Sequence, residues 1–323
     1  MVEVVKAVKY NSWPMIQALG EKLVCAYSRG SAHSIVETER GVFAKVSSDG
    51  GLTWSDETRI ANDSRWAEVT IGKGLDTNGA MLLWVRCWSM ERKYRHHDLY
   101  RTEDGVSFEK IATPELDPVP MQITDIFPVP GAGMMSFWFS DGYAASSDRS
   151  WGILTSADDG RSWTQRTIES GLDFDDWPTE PSGVYLGNGR IFAVARSEAG
   201  RRYQFALISE DFGKTWRKSR TNISDVDRST PSLIYDAATG ILSNYYYQRG
   251  ARKLKRRIVS AEFIFAHPDA WPEPKVLFEG NEPRDIDAGN VNAVVLGDRH
   301  FAATYSGTPS DTAVIVLSHR FVL

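Results

Sequence analysis

A chain of 323 residues, 42% hydrophobic and 24% charged, has the make-up of a folded protein with a large core, which excludes a disordered or fibrous chain. Its net charge of −5 excludes a broadly basic surface, so no nucleic-acid partner is expected. No apolar run reaches the roughly 18 residues of a membrane span, and MVEVVKAVKY lacks the long apolar region of a signal peptide, so a soluble chain without membrane insertion or visible export signal is expected.

Taken in chain order, the first predicted element is EVVKAV, expected to close the ring beside the last blade. Six further strands are then expected at SWPMIQA, EVTIGKG, ITDIFPV, EPSGVYL, TPSLIYD and NVNAVVL. Each is followed by a turn and a second apolar strand: KLVCAYS, MLLWVRC, MMSFWFS, RIFAVAR, ILSNYYY and HFAATYS. In four of these units a short box comes next. The boxes are SSDGGLTW (47–54), TEDGVSF (102–108), SADDGRSW (156–163) and SEDFGKTW (209–216). Their aspartates, Asp49, Asp104, Asp158 and Asp211, are 55, 54 and 53 residues apart. The Asp can accept hydrogen bonds from turn N–H groups, the Gly takes a conformation other residues resist, and the aromatic packs under the hairpin. These boxes read as structural pins, without chemistry of their own. In the last two units the box is degenerate, and IVSAEFIF and AVIVLSHRF are expected to supply the outer strands.

Repeated four-strand units of this length are the signature of a β-propeller. The expected fold is all-β: a six-bladed β-propeller with box hairpins, formed as a single domain over residues 1–323. In such blades the start of each first strand and the end of each second strand line one mouth. The starts are Ser12, Glu68, Asp125, Glu180, Ser229 and Asn290, and the ends are Arg29, Arg86, Asp141, Arg196, Arg249 and Tyr305. Arg29, Arg86, Asp141, Arg196 and Arg249 follow one another at 57, 55, 55 and 53 residues, in phase with the blades. Arginine forks grip carboxylates in a bidentate way, and a carboxylate among them can serve as acid or base in breaking a glycosidic bond. The competing reading pairs each Arg with a neighbouring Asp or Glu as part of the inner ring.

The S-x-D-x-G-x-T-W boxes resemble the Asp boxes (BNR repeats) of the sialidase, or neuraminidase, superfamily, whose members are six-bladed propellers. YNSWP (10–14), SRGSAH (28–33), EPSGVYLGNGRIFAVARSEAG (180–200) and YYYQRG (245–250) resemble segments of bacteriophage endosialidases, which cut polysialic acid. The resemblance implies a hydrolase in which Glu180 is the catalytic Glu, Arg196 and Arg249 hold substrate, and His33 is an active-site His. Asp125 is a second candidate acid. Exosialidases open with Arg-Ile-Pro, where this chain has Ser12-Trp13-Pro14, so the first of their three arginines is missing. Tyr305, in ATYSG, stands where their Tyr nucleophile could lie.

Arg86, Arg29, Trp13 and Glu68 complete the expected substrate-binding set, with Trp13 offering a ring to a sugar face. The implied partner is an acidic oligo- or polysaccharide, and a homo-oligomer is left open. No cofactor is expected. No metal is expected either, since His96 and His97 have no partners at metal spacing, and Cys25 and Cys87 read as buried thiols. The basic stretches GARKLKRR (250–257) and ERKYRHH (91–97) are expected on loops. The first of them would make a polyanion groove. Three functions fit: a sialidase-type glycosidase of the phage depolymerase kind, a non-catalytic carbohydrate-binding propeller, and an exosialidase using Tyr305. Action outside the cell or on a virion is compatible with all three.

Overall fold

The computed structural model describes residues 1–6, 9–33, 40–89, 91, 93–198, 203–280, 289–308 and 311–320. The chain forms two compact units, Met1–Glu115 with Gly280–Leu323, and Leu116–Glu279. Almost all regular structure is β, as the alternating apolar runs require.

The first unit holds two sheets. One has four antiparallel strands, Ala67–Leu75, Met81–Ser89, Tyr94–Thr102 and Glu109–Ala112. The other has eight. It contains the run Tyr10–Leu19, Lys22–Gly30, Gly41–Ser47 and Thr58–Ala61, and the run Asn292–Leu296, Arg299–Thr308 and Asp311–Arg320. Val2–Lys6 pairs antiparallel with Asp311–Arg320, the last described strand, where EVVKAV is expected beside the last blade; residues 7 and 8 of that stretch lie outside the described residues. The two runs meet at one parallel bridge, Tyr10 to Thr312. Asn11 Nδ2 donates to the Thr312 carbonyl at 2.8 Å, and Asn292 Oδ1 accepts from the Ile16 N–H at 3.0 Å.

The second unit holds three sheets. The first is five-stranded: Gln122–Ile123 and Phe127–Val129 both pair with Gly133–Phe139, followed by Trp151–Ser156 and Thr164–Glu169. The second runs Pro178–Gly187, Arg190–Ser197, Phe205–Ser209 and Arg217–Arg220. The third runs Ser232–Asp236, Ile241–Gln248, Lys253–Ser260 and Lys275–Glu279.

Among the described residues six separate blades are therefore not observed. Four sheets are blade-sized and separate, and the fifth is a single eight-stranded sheet, because the Tyr10–Thr312 bridge and the Asn11 side chain merge the runs at the two ends of the chain. IVSAEFIF is also not one strand. The strand ends at Ser260, and Ala261–Ala266 turns into a short helix. Ala261, Ile264 and Phe265 stand at helical spacing and bury against Phe192 and Trp271. A run of apolar residues is ambiguous between the two periods, and here tertiary packing selects the helical one.

The boxes form the turns expected of them. Asp49 Oδ1 accepts from the N–H groups of Leu52 and Thr53 at 3.0 and 2.9 Å, and the Gly51 N–H donates to Ser47 Oγ at 2.8 Å. The pattern recurs at Asp104, Asp158 and Asp211. The Thr53 hydroxyl and backbone hold the Asp49 carboxyl down at about 2. Trp163 and Trp216 each close their box with an indole N–H donated to a glycine carbonyl, Gly160 or Gly213. Gly213 has φ +81°, and a Cβ there would lie 2.6 Å from the Met135 methyl, so the turn needs glycine.

Candidate functional site

Glu180 lies in the strand Pro178–Gly187, where the pairing with Arg190–Ser197 slips between Thr179 and Ser182. Its φ is +48°, a region that non-glycine residues seldom occupy, and Pro181 follows it. A bulge of this kind re-aims a side chain. The carboxylate is aimed into a set of donors: Glu180 Oε2 accepts from Arg196 Nη1 at 3.1 Å and from the Thr230 hydroxyl at 2.7 Å, and Oε1 accepts from Gln122 Nε2 at 3.4 Å. The residue is 8% exposed.

Arg196 is shared. Its Nη2 donates to Glu198 Oε2 at 3.1 Å, and its Nε lies 3.0 Å from Oε1 as a charge contact rather than an aligned hydrogen bond. Glu198 is buried and also accepts from the hydroxyls of Thr179 at 2.9 Å and Tyr143 at 3.3 Å. Tyr143 is 42% exposed as a residue, so the burial that first pushes its phenol up belongs to the hydroxyl end. Arg196 lowers that phenol's pKa, while the carboxylates of Glu198 and Glu180 raise it further. The outcome is a neutral Tyr that donates to Glu198.

Arg249 follows the strand Ile241–Gln248 and opens a one-turn 3-10 helix. Its Nη1 donates to the Arg228 carbonyl at 2.6 Å, and the Gly250 N–H donates to Asp227 Oδ2 at 2.9 Å. Asp227 and Arg228 have φ values of +56° and +59°, two strained residues in succession. Thr230, the donor to Glu180, comes two residues later. One loop thus ties Arg249 to the Glu180 cluster. Asp125 lies between the short strands Gln122–Ile123 and Phe127–Val129 and is half-buried, while Asp141 is exposed. The expected continuous strand ITDIFPV is broken at that point.

In the first unit the Trp13 position repeats the device of Glu180. Trp13 has φ +49°, stands at a slip in pairing between Ser12 and Met15, and precedes a proline. Its ring lies 5.2 Å from that of His33, and the Tyr10 hydroxyl is hydrogen-bonded to His33 Nδ1 at 3.0 Å. Tyr305 is fully buried, edge-on to Tyr10 at 5.9 Å. Ser12, where the exosialidase resemblance lacks an arginine, has a cation beside it. Arg40, fully buried, donates from Nη1 to Ser12 Oγ at 3.3 Å, and its guanidinium lies 4.8 Å from the Trp13 ring centre. Arg29 forms a two-bonded pair with Glu57 and donates from Nε to Asn11 Oδ1 at 2.9 Å. Glu68 and Arg86 are buried on paired strands. Burial, reinforced by the charges of Asp63 and Asp98 and opposed by the Asp63 N–H, pushes Glu68 up to about 8.

Most of each basic stretch lies in a strand rather than a loop. Lys253–Ser260 is a strand in which Lys255 Nζ and Arg257 Nη2 both bind Asp225, at 2.6 and 2.9 Å. Tyr94–His97 opens another strand, with His97 buried. Both read as loops in sequence because alternating charge hides a strand whose polar side is paired rather than solvated. Periodicity also passes over Arg40, Glu198, Tyr143, Thr230 and Gln122. Only Glu198 carries a local signal, lying two residues beyond Arg196 in R-S-E. A cavity of about 630 Å³ in the second unit, lined by Met135, Ile153, Arg166 and Phe212 among others, contains none of the expected site residues.

No family model matches the sequence, and no curated protein matches it. Among solved structures the chain is similar to a Dyadobacter fermentans protein of unknown function, with a TM-score of 0.81 and 17% identity over 98% of each chain. It is similar to the Trypanosoma rangeli sialidase in complex with sialic acid, with a TM-score of 0.69 and 13% identity, covering 96% of this chain and 54% of that one. It is similar to the phage phi92 endosialidase, with a TM-score of 0.67 and 11% identity, covering 99% of this chain and 70% of that one. The chain thus spans about half the length of the Trypanosoma sialidase. At these identities the likeness shows the fold alone, an all-β fold of the propeller class.

Proposed function

We propose that the protein is a sialidase-type glycosidase acting on a carboxylated glycan, with the endo-acting, depolymerase-like mode that the motifs imply. The observation that carries this reading is Glu180. A buried carboxylate on a positive-φ bulge, ringed by Arg196, Thr230 and Gln122, is held in one orientation at some conformational cost. An ionised carboxylate cannot protonate a leaving group. It can take a proton from an attacking water, or steady the positive charge of an oxocarbenium-like transition state. The proton for the leaving oxygen then comes from Asp125, in the same unit as Glu180. Arg249 supplies the fork for the substrate carboxylate.

A non-catalytic binding module is favoured by one observation: the guanidinium groups of Arg29 and Arg196 are already engaged by Glu57 and by Glu180 and Glu198. The exosialidase reading is weakened by the full burial of Tyr305 against Tyr10. The test is a screen of acidic polysaccharides and sialosides for released reducing ends, with wild type and Glu180→Gln side by side. Loss of at least ~10²-fold in turnover in the variant, with glycan binding retained, is the expected result. Equal turnover removes Glu180 from the chemistry, and glycan binding without release by either protein leaves the binding module.

A further inference from the structure

Three strands of the first unit bring together side chains that are distant in sequence. Glu68 pairs directly with Cys87, and Cys87 pairs directly with His96. Directly opposed residues of antiparallel strands share a face, and Asp98, two residues past His96, shares it too. Four donor residues thus stand on one face of the sheet. The Asp98 carboxylate lies between the other two groups: Oδ1 is 3.5 Å from His96 Nε2, and Oδ2 is 3.8 Å from Cys87 Sγ. The donor atoms of Cys87, His96 and Asp98 all lie within 4.8 Å of one another.

We propose that Cys87, His96 and Asp98 form a binding site for a divalent transition-metal ion, zinc above all. The ligand types favour it. One thiolate, one imidazole and one carboxylate make a borderline-soft set that suits zinc, whereas magnesium and calcium take oxygen ligands. The spacing favours it as well. A tetrahedral ion at about 2.3 Å from sulfur and about 2.0 Å from nitrogen and oxygen holds its ligand atoms roughly 3.3 to 3.5 Å apart. The two separations from Asp98, 3.5 and 3.8 Å, are within a few tenths of an ångström of those values, and the one between Cys87 and His96, which is within 4.8 Å, closes by a rotation of the partly exposed imidazole. Cys87 is 2% and Asp98 4% exposed, so two of the ligands are fixed in the sheet. The imidazole is oriented by the Trp66 ring, edge-on at 4.5 Å.

Charge points the same way. Asp63, Glu68 and Asp98 crowd one region, and the Asp98 carboxylate meets Lys110 Nζ at 3.4 Å on a side chain that is 51% exposed. An arriving cation displaces that lysine to solvent. The Cys87 thiol loses its proton to solvent as the sulfur–metal bond forms, so affinity rises with pH. The ion ties the strand Met81–Ser89 to the strand Tyr94–Thr102 through side chains, in addition to the backbone ladder. This site is independent of the glycosidase reading, since it needs neither Glu180 nor a glycan.

The experiment uses the whole chain, reduced and stripped with a chelator, and titrated calorimetrically with zinc chloride. One equivalent bound at micromolar or lower Kd is expected. Both Cys87→Ser and His96→Gln should weaken it at least ~10-fold, with circular dichroism verifying the fold. Cobalt(II) in place of zinc should give a thiolate charge-transfer band that Cys87→Ser abolishes. Should Cys87→Ser not fold, His96→Gln, at a partly exposed position, decides alone. Zinc binding no tighter than that of the Cys87→Ser/His96→Gln double variant, or equal in wild type and His96→Gln, overturns the proposal.

Discussion

Arg196→Met separates the structural from the substrate-facing part of the arginine cluster. The Arg196 side chain is 14% exposed and sits between Glu180 and Glu198, the latter with a side chain 2% exposed. Among the described residues, removing the guanidinium leaves Glu198 with the Thr179 and Tyr143 hydroxyls, which carry no compensating charge. An unpaired buried carboxylate of this kind costs about 3 to 5 kcal/mol. Glu198→Gln in the same chain removes the charge while keeping the shape, so the double variant should recover most of that loss. The coupling between the two positions should reach at least ~2 kcal/mol, within the range for residues in one network. Urea unfolding followed by tryptophan fluorescence, on wild type, both single variants and the double, measures all four corners. A stability change in Arg196→Met of under about 0.5 kcal/mol, the range of ordinary surface substitutions, would refute the reasoning, as would simple additivity.

Arg249→Ala should leave the fold intact but weaken an acidic glycan by ~2 to 5 kcal/mol, the range for truncating one partner of a buried charge pair. Its neutral methyl ester should bind both proteins equally weakly, and calorimetry with the two ligands checks this. Gly183→Ala should destabilise by about 1 to 3 kcal/mol through overpacking, because the new Cβ would stand 2.4 Å from the Phe137 ring; thermal unfolding reads it. Burial raises the Asp225 carboxyl, but the Lys255 hydrogen bond and the Arg257 charge outweigh it, so its folded-state pKa lies below the usual 3.8. The unfolded chain then binds the extra proton, and this stabilisation, present above that value, is lost as pH falls through the folded-state value. The stability gap between wild type and Asp225→Asn should therefore narrow between pH 6 and pH 3, and a gap independent of pH would contradict the assignment.

The repeat is what made the fold readable. Four boxes and six strand pairs recur at one period, and period-2 alternation with glycine turns identifies strands without any knowledge of their partners. Count and connectivity were not readable in the same way. The bridge from Tyr10 to Thr312 joins residues some 300 positions apart, and nothing local announces it. The candidate site divides likewise. Glu180 and Arg196 sit on neighbouring strands, so register brings them together, and Glu198 lies two residues farther along the same side. Arg40 enters from outside the repeat and reaches Ser12 through a fully buried path, which no spacing rule predicts. Cys87 and His96 become partners only once their two strands are paired.

The pairing of Val2–Lys6 with Asp311–Arg320 bears on how the chain acquires its structure during synthesis. Leu116–Glu279 is one uninterrupted stretch whose three sheets are complete as soon as that stretch has left the ribosome. The other unit combines Met1–Glu115 with Gly280–Leu323, so its eight-stranded sheet cannot close until Asp311–Arg320 has been made. Until then the edges of Val2–Lys6 and Tyr10–Leu19 that later pair with Asp311–Arg320 are open to chaperones and to other chains. Protease challenge of ribosome-stalled chains whose emerged part ends near residue 290 should find the middle of the polypeptide resistant and its first hundred residues still cleavable.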